Sequence, residues 1–289
     1  MADLKLEVIK NDEMLCADTQ EAKPTISARP EDKYNEIERI IKFRMLKRIK
    51  TFEKDVCKIL GDNFEFAIAG NSLNKDTPND YDLYALGEFK FDLEKIKEKV
   101  EKSYGKILSE TANALTVKLD DTVLQFCIYK YPTLKELVDT FDFAHIQIGA
   151  AFSTTLSDDS NYYHISLLDI YYTSNWEKAK LLETTFYTKP KVETSYPISS
   201  LLRSFKYKER GTFSGNSHIV SVFEILKQLL ERGFNGYSDF KDQLAAVDLR
   251  LLEEKESDAA FSFYKVCKAK GLVKDIDDSE ENEEEEELF

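Results

Sequence analysis

The chain has 289 residues, 42% of them hydrophobic and 12% aromatic, enough apolar material for a substantial core and too much for a disordered protein. The net charge of −14 is unevenly placed: residues 275–289 hold ten acidic side chains and no basic one, and removing those ten charges leaves −4, which excludes a uniformly acidic surface. Four scattered cysteines without a CxxC pair and three histidines argue against a structural zinc site. With no run long enough to span a bilayer and no signal-like N-terminus, the sequence predicts a cytoplasmic protein with no membrane association, in a reducing compartment.

In chain order, residues 1–34 are polar, carry Pro24 and Pro30, and read as an N-terminal extension. Ile37, Ile40, Ile41, Phe43, Met45, Leu46 and Ile49 then recur at near-helical spacing, and the helix continues through Phe52, Val56 and Leu60 to a stop at Gly61. Residues 64–69 predict a short buried strand. It runs into Gly70-Asn71-Ser72, a polar loop over 74–79 and a second strand over 81–86. A Lys/Glu-rich amphipathic helix is expected over 91–104, and a hairpin pairs 114–119 with 122–129 around Asp120-Asp121. Pro132 opens a helix to about Thr140, and a strand-like piece lies near 144–152. Beyond it the patterns are mostly helical, at about 175–183, 197–209, 217–232, 238–252 and 256–270, with Pro197 suited to a first helical turn.

The predicted layout is α+β. A head with a mixed β-sheet spans 35–152 and a mostly helical neck domain spans 153–273. An acidic tail, expected to be disordered, spans 274–289. The tail closes on Leu288-Phe289 and has two readings, a solubilising extension or a short peptide docking into a protein partner's apolar pocket.

The chemistry is expected between residues 64 and 86. Side chains alternate along a strand, so Asp80 and Asp82 share one face while Tyr81 and Leu83 take the other. Two aligned carboxylates at a strand's head suit a hard divalent cation such as Mg²⁺ or Mn²⁺. Phosphoryl transfer uses such carboxylates to hold metal ions against the attacking and leaving oxygens. Gly70 permits close approach of backbone to a phosphate, and Ser72 can donate a hydrogen bond to it.

This order of strand, Gly70-Asn71-Ser72, loop and Asp80-Tyr81-Asp82-Leu83 resembles the polymerase-β-type nucleotidyltransferase superfamily, and within it the CCA-adding and bacterial poly(A) polymerase branch. The run Thr77-Pro78-Asn79-Asp80-Tyr81-Asp82-Leu83 is similar to that branch's Pro-containing loop and Asp-x-Asp-Leu segment. Gln125-Phe126-Cys127-Ile128-Tyr129-Lys130 takes the place of a strand that there ends in Glu. Thr140-Phe141-Asp142-Phe143-Ala144 takes that of an Arg-Arg-Asp-Phe-Thr segment which helps to hold the ribose. Residues 196–207 are similar to a helix carrying Leu-Arg-x-x-Arg-Phe. The resemblance covers about residues 62–210.

The resemblance implies a nucleotidyltransferase head with a helical neck, moving a nucleoside monophosphate from an NTP to an acceptor hydroxyl. That hydroxyl belongs to an RNA end, a protein or a second nucleotide. Asp80 and Asp82 are then the catalytic carboxylates and, with Gln125, the metal site. Gly70, Asn71 and Ser72 hold the β/γ-phosphates, and Asp142 contacts the ribose. Arg203 and Lys206, in a basic cluster with Lys208 and Arg210, bind triphosphate or an RNA backbone. The same cations also suit a solvated helix C-terminus.

The departures are equally specific. The ribose-contacting arginines are replaced by Thr140 and Phe141, and no nucleotide-selecting Glu-Asp-x-x-Arg helix is found, so CCA addition is not expected. Gln125 stands where a third carboxylate belongs, and a neutral amide can ligate a cation but brings no charge and cannot act as a base. Either the aspartate pair suffices, or Glu110, Asp120 or Asp121 substitutes. The remaining alternative is a non-catalytic scaffold or interaction protein that keeps the fold and has lost turnover.

Overall fold

A computed structural model describes residues 30–75, 78–103, 105–111, 113–157, 162–190, 196–245 and 254–274. Most of the expected N-terminal extension (1–29) and the tail from 275 onwards, with Leu288 and Phe289, lie outside the described residues. The chain divides into two units, 1–40 and 41–289. In the first, residues 30–40 are helical; the sheet and the remaining described elements belong to the second.

Helix α1 (Pro30–Leu60) precedes β1 (Glu65–Ala69), a 3-10 turn (Gly70–Asn74), β2 (Tyr81–Leu86) and α2 (Leu93–Lys102). Then follow β3 (Lys106–Thr111), β4 (Ala114–Leu119), β5 (Thr122–Tyr131) and α3 (Leu134–Asp139). A second 3-10 turn (Ala144–Ile146) leads into β6 (Ile148–Ser157) and β7 (Tyr162–Tyr172). The helices α4 (Ser174–Leu181), α5 (Pro197–Glu209), α6 (Ser217–Arg232), α7 (Gly236–Ala245) and α8 (Glu254–Ala269) complete the order. The fold is α+β, with one mixed seven-stranded sheet in the order β3-β4-β5-β2-β1-β6-β7. Its β2–β5 pair is parallel and the other pairs are antiparallel.

Alternation along the strands decides which residues face which layer. On one face Phe66, Ile68, Leu83 and Phe126 are buried with Met45, Ile49, Phe52 and Val56 of α1, the helical spacing read from the sequence. On the other face Ala67, Ala69, Leu86 and Ala151 pack against Leu134, Leu137 and Val138 of α3. A Cβ at Gly149 would meet Leu134 Cδ1 at 2.7 Å and Val138 Cγ2 at 2.9 Å, so a glycine on β6 is what lets α3 lie this close. Being only six residues long, α3 covers part of that face.

Two satellite cores organise the later helices. Ile198, Phe234, Phe240, Tyr264 and Cys267 form one; Phe143, Ile146, Tyr207 and Ile225 form the other. The second fastens α5 and α6 to the segment that follows α3. No helix among the described residues is long and apolar enough to cross a membrane.

The structure corrects the expected layout in two places. The head boundary at 152 falls inside β6, because the sheet continues through β7. Strand β3 was not expected, since Ile107 is its one residue that is not exposed and a period of two needs more than that. Helix α7 runs Gly236–Ala245, and the expected continuation over 246–252 lies outside the described residues.

Strand β7 is an edge of the sheet. It carries a bulge at Leu168, where the register slips between Ala151↔Asp169 and Phe152↔Leu167. From α1, Glu53 Oε1 accepts the Ile165 amide at 2.7 Å, and Cys57 Sγ donates to the His164 carbonyl at 3.4 Å.

Candidate active site

Strand β1 ends at Ala69, directly opposite Asp82 of β2. Gly70 follows at φ +86°, a left-handed backbone that costs other residues about 1 kcal/mol or more. It bends the chain off the strand and into the 3-10 turn. On β2, Tyr81 and Leu83 enter the α1-side core, with the Tyr81 ring 5.1 Å from that of Phe52. Asp82 therefore takes the opposite face. Its neighbour in register on β5 is Gln125.

Asp80, Asp82 and Gln125 line one cavity of about 410 Å³. Gly70 and Asn71 line it from the first 3-10 turn, Lys75 from just after that turn, and Thr140, Phe141 and Asp142 from the segment after α3. Arg203, Lys206, Tyr207 and Arg210 close it from α5 and the residue after it. The site is thus assembled from segments that are far apart in sequence and meet only through the sheet and the packing of α5.

The electrostatics are those of a crowded anionic pair beside cations. Burial, and then the charge of Asp80, push the Asp82 carboxyl up from 3.8 to about 7, while Lys206 pulls in the opposite direction. Behind it, burial and then the charge of Asp82 push the Cys127 thiol up to about 12. Burial holds Tyr84 well above its usual value, so the deep wall of the cavity stays neutral. Tyr207 is raised to about 12 by burial and then by Asp142, and it too stays a neutral hydroxyl.

Asp142 is buried, and its Oδ2 accepts from Ser200 Oγ at 2.6 Å, Arg203 Nη2 at 2.6 Å and Arg203 Nε at 3.2 Å. Arg203 Nη1 donates to Ser199 Oγ at 2.8 Å. This pair locks α5 against the segment after α3. Much of the hydrogen-bonding capacity expected to meet a ribose or a triphosphate is therefore spent inside the protein. Lys206 and Arg210 are exposed and carry the cavity's positive charge from this side.

The structure brings together Gly70, Asn71, Asp80, Asp82, Gln125, Asp142, Arg203 and Lys206. Ser72 is not among them. It is buried in the 3-10 turn, and among the described residues its Oγ has no hydrogen-bond partner. The proposed substitutes for a third carboxylate are also elsewhere. Glu110 pairs with Lys97 at 2.5 Å, Asp120 and Asp121 form the β4–β5 turn, and none of the three lines the cavity.

Lys75 and Tyr84 were missed. Tyr84 was available from alternation, two residues beyond Asp82. Lys75 had the weaker signal of a cation in the loop before the aspartates. Among the described residues no group of three or more His, Cys, Asp or Glu could hold a metal ion. The donor set is two carboxylates and an amide, which fits a hard, oxygen-loving cation and not a thiolate or imidazole metal.

No protein-family model matches the chain, and no curated protein matches it. Among solved structures it is similar to a "tRNA-processing enzyme (apo form I)", at 15% identity and a TM-score of 0.42, covering 76% of this chain and 57% of that one. It is also similar to a "tRNA-processing enzyme with CTP", at 14% and 0.40, covering 77% and 57%. A third is a "tRNA nucleotidyltransferase complexed with a primer tRNA and an incoming ATP analog", at 15% and 0.38, covering 75% and 60%. The chain spans less than two thirds of the length of each.

Proposed function

We propose that the chain is a divalent-metal-dependent nucleotidyltransferase that moves a nucleoside monophosphate from an NTP to an acceptor hydroxyl. One observation carries this: Asp80 and Asp82 share a cavity with Gln125 in register beside them, a glycine turn on one side and Lys206 and Arg210 on the other. A carboxylate raised to about 7 by burial and its twin is a group that gains from a cation.

Asp80, Asp82 and the amide oxygen of Gln125 would hold Mg²⁺ or Mn²⁺. When bound, the metal neutralises phosphate oxygens and orients the reacting groups. Gly70 and Asn71 let the backbone approach the β/γ-phosphates closely, and Lys206 and Arg210 balance their charge. The acceptor oxygen bonds to the α-phosphorus as the α–β bridge breaks; pyrophosphate leaves and the hydroxyl proton passes to solvent. The last turn of α5 supports an RNA end as acceptor, because Lys206 and Lys208 on it, and Arg210 just after it, are exposed and suited to a phosphate backbone. Free thiols at Cys57, Cys127 and Cys267 support a reducing, cytoplasmic setting.

Gln125 favours a second reading, a nucleotide-binding scaffold or interaction protein without turnover, because the position in register with Asp82 is neutral. Each labelled NTP, incubated with Mg²⁺ or Mn²⁺ and a broad RNA pool, separates the two. Incorporation by wild type that disappears in Asp80→Asn/Asp82→Asn supports the enzyme. No incorporation, with NTP-dependent thermal stabilisation retained, supports the scaffold. A saturating ligand at ~100-fold over its Kd should add about 2.7 kcal/mol.

A further inference from the structure

Helix α6 turns its polar residues toward the protein and its apolar ones toward water. Its buried residues are His218, Ser221, Ile225 and Gln228, and the three polar ones have partners inside the fold. Ser221 Oγ accepts from the Tyr187 amide at 3.0 Å, Gln228 Oε1 accepts from the Tyr187 hydroxyl, and His218 Nε2 lies 3.4 Å from Ser204 Oγ. On the outward side Ile219, Val220, Phe223, Leu226 and Leu230 are between 37% and 66% exposed. A helix of a monomer turns such residues inward. Here they leave roughly 500 Å² of apolar surface in water, the size of the largest patches on ordinary monomers.

Their spacing points to what covers them. Ile219, Phe223, Leu226 and Leu230 advance by four, three and four residues, the seam along which two helices pair side by side. The seam also reads the same in both directions about the point between Glu224 and Ile225. Laid antiparallel on a copy of itself, α6 sets Ile219 against the partner's Leu230 and Phe223 against the partner's Leu226, and two-fold symmetry repeats each contact.

The charges agree with that pairing. Glu224 and Lys227 are exposed and stand on the same flank of the seam. In the antiparallel pair Glu224 and the partner's Lys227 lie about 3 Å apart along the axis on that flank, so opposite charges meet twice. Arg232 is taken by Asp239 at 2.6 Å, which leaves Glu224, Lys227 and Glu231 as a rim with surplus negative charge. Such a rim repels the ten acidic side chains of residues 275–289, so the tail with its Leu288-Phe289 is the poorer occupant.

We propose that α6 joins two copies of the chain in an antiparallel, two-fold-symmetric contact with Phe223 and Leu226 at its centre. Two such faces supply about the 1,000 Å² that a specific interface requires. Pairing of this kind is independent of what the cavity binds.

Sedimentation equilibrium of the full chain across micromolar concentrations tests it, with a dimer expected for wild type. Phe223→Glu puts a charge at the centre of the contact twice and should raise the dimer dissociation constant about a hundredfold or more. Because Phe223 is exposed, the far-UV circular dichroism of this variant should match that of wild type. Glu224→Lys should weaken the dimer about tenfold, and adding Lys227→Glu in the same chain should restore it, since the swap exchanges the signs at both contacts.

A monomeric wild type, a Phe223→Glu variant that still dimerises, or a charge swap that fails to rescue would overturn the two-fold contact. A wild type that is monomeric while Leu288→Glu/Phe289→Glu dimerises would overturn it too, and would assign the face to the tail.

Discussion

Replacing Asp82 with asparagine should stabilise the protein while disabling it. The Asp82 carboxyl is raised from 3.8 to about 7, by burial first and the charge of Asp80 second. A folded-state value above the unfolded one means that, between about pH 4 and pH 7, the folded chain keeps a proton the unfolded chain has released. The resulting stabilisation is complete below about pH 4 and is lost as the pH rises through 7. Above pH 8 the gap of about 3 pH units, at 1.36 kcal/mol each, corresponds to about 4 kcal/mol. Asp82 is only partly buried, so solvent screening makes that an upper bound. Asparagine keeps the shape and carries no charge. Asp82→Asn should therefore match wild type near pH 4 and exceed it by roughly 2–4 kcal/mol at pH 8. Urea denaturation at pH 4, 6 and 8 in EDTA measures the difference. In Mg²⁺ and ATP the order should reverse, because only wild type gains from the ligand. A variant no more stable than wild type at pH 8 would show that the carboxylate is comfortable where it sits. The case for a cation between Asp80 and Asp82 would fall with it.

Asp80→Asn should lower the Asp82 titration midpoint below about 7, since the neighbouring charge is its second cause; carboxyl ¹³C chemical shifts read this, and an unmoved midpoint would leave burial as the sole cause. Gln125→Glu should raise Mn²⁺ affinity by about tenfold, because hard cations favour charged oxygen donors, and should raise incorporation if the site turns over. Unchanged affinity in calorimetry would mean that position 125 does not reach the metal. Asp142→Ala should cost about 3 kcal/mol in urea denaturation, because it leaves the Arg203 guanidinium, half-buried and in contact with Asp142 through Nε and Nη2, without its partner. A loss below 1 kcal/mol would mean that water replaces the carboxylate freely.

The placement of the two aspartates beside one cavity was legible because it rests on local rules. Strand alternation set Asp80 and Asp82 against Tyr81 and Leu83, and the order of the motifs placed Gln125 on the adjoining strand. What escaped depends on tertiary contacts. Nothing local links Asp142 to Arg203, 61 residues apart, and the ion pair emerges only when α5 packs down. Ser72 was expected to offer its hydroxyl to a phosphate, and no local signal says that the chain coils into a 3-10 turn after Gly70 in which Ser72 is buried. Strand β7 escaped because Ile165 is its one buried residue and its bulge at Leu168 resets the period of two on which strand prediction depends. The α1 stripe from Met45 to Val56 was plain, because one face of a long helix repeats the same decision every three or four residues.

Strand β7 is eleven residues long, and an edge of that length is a template on which a second molecule could add a strand. Polymerisation of this kind needs a row of unpaired amides and carbonyls on a nearly flat ribbon. Glu53 occupies the Ile165 amide and Cys57 the His164 carbonyl, while Leu168 kinks the ribbon further along. Helix α1 therefore acts as a guard on the sheet's rim as well as a lid on its core. Loss of the Glu53 carboxylate would show first as a concentration-dependent tendency to form fibrils, before any fall in the activity of the distant cavity.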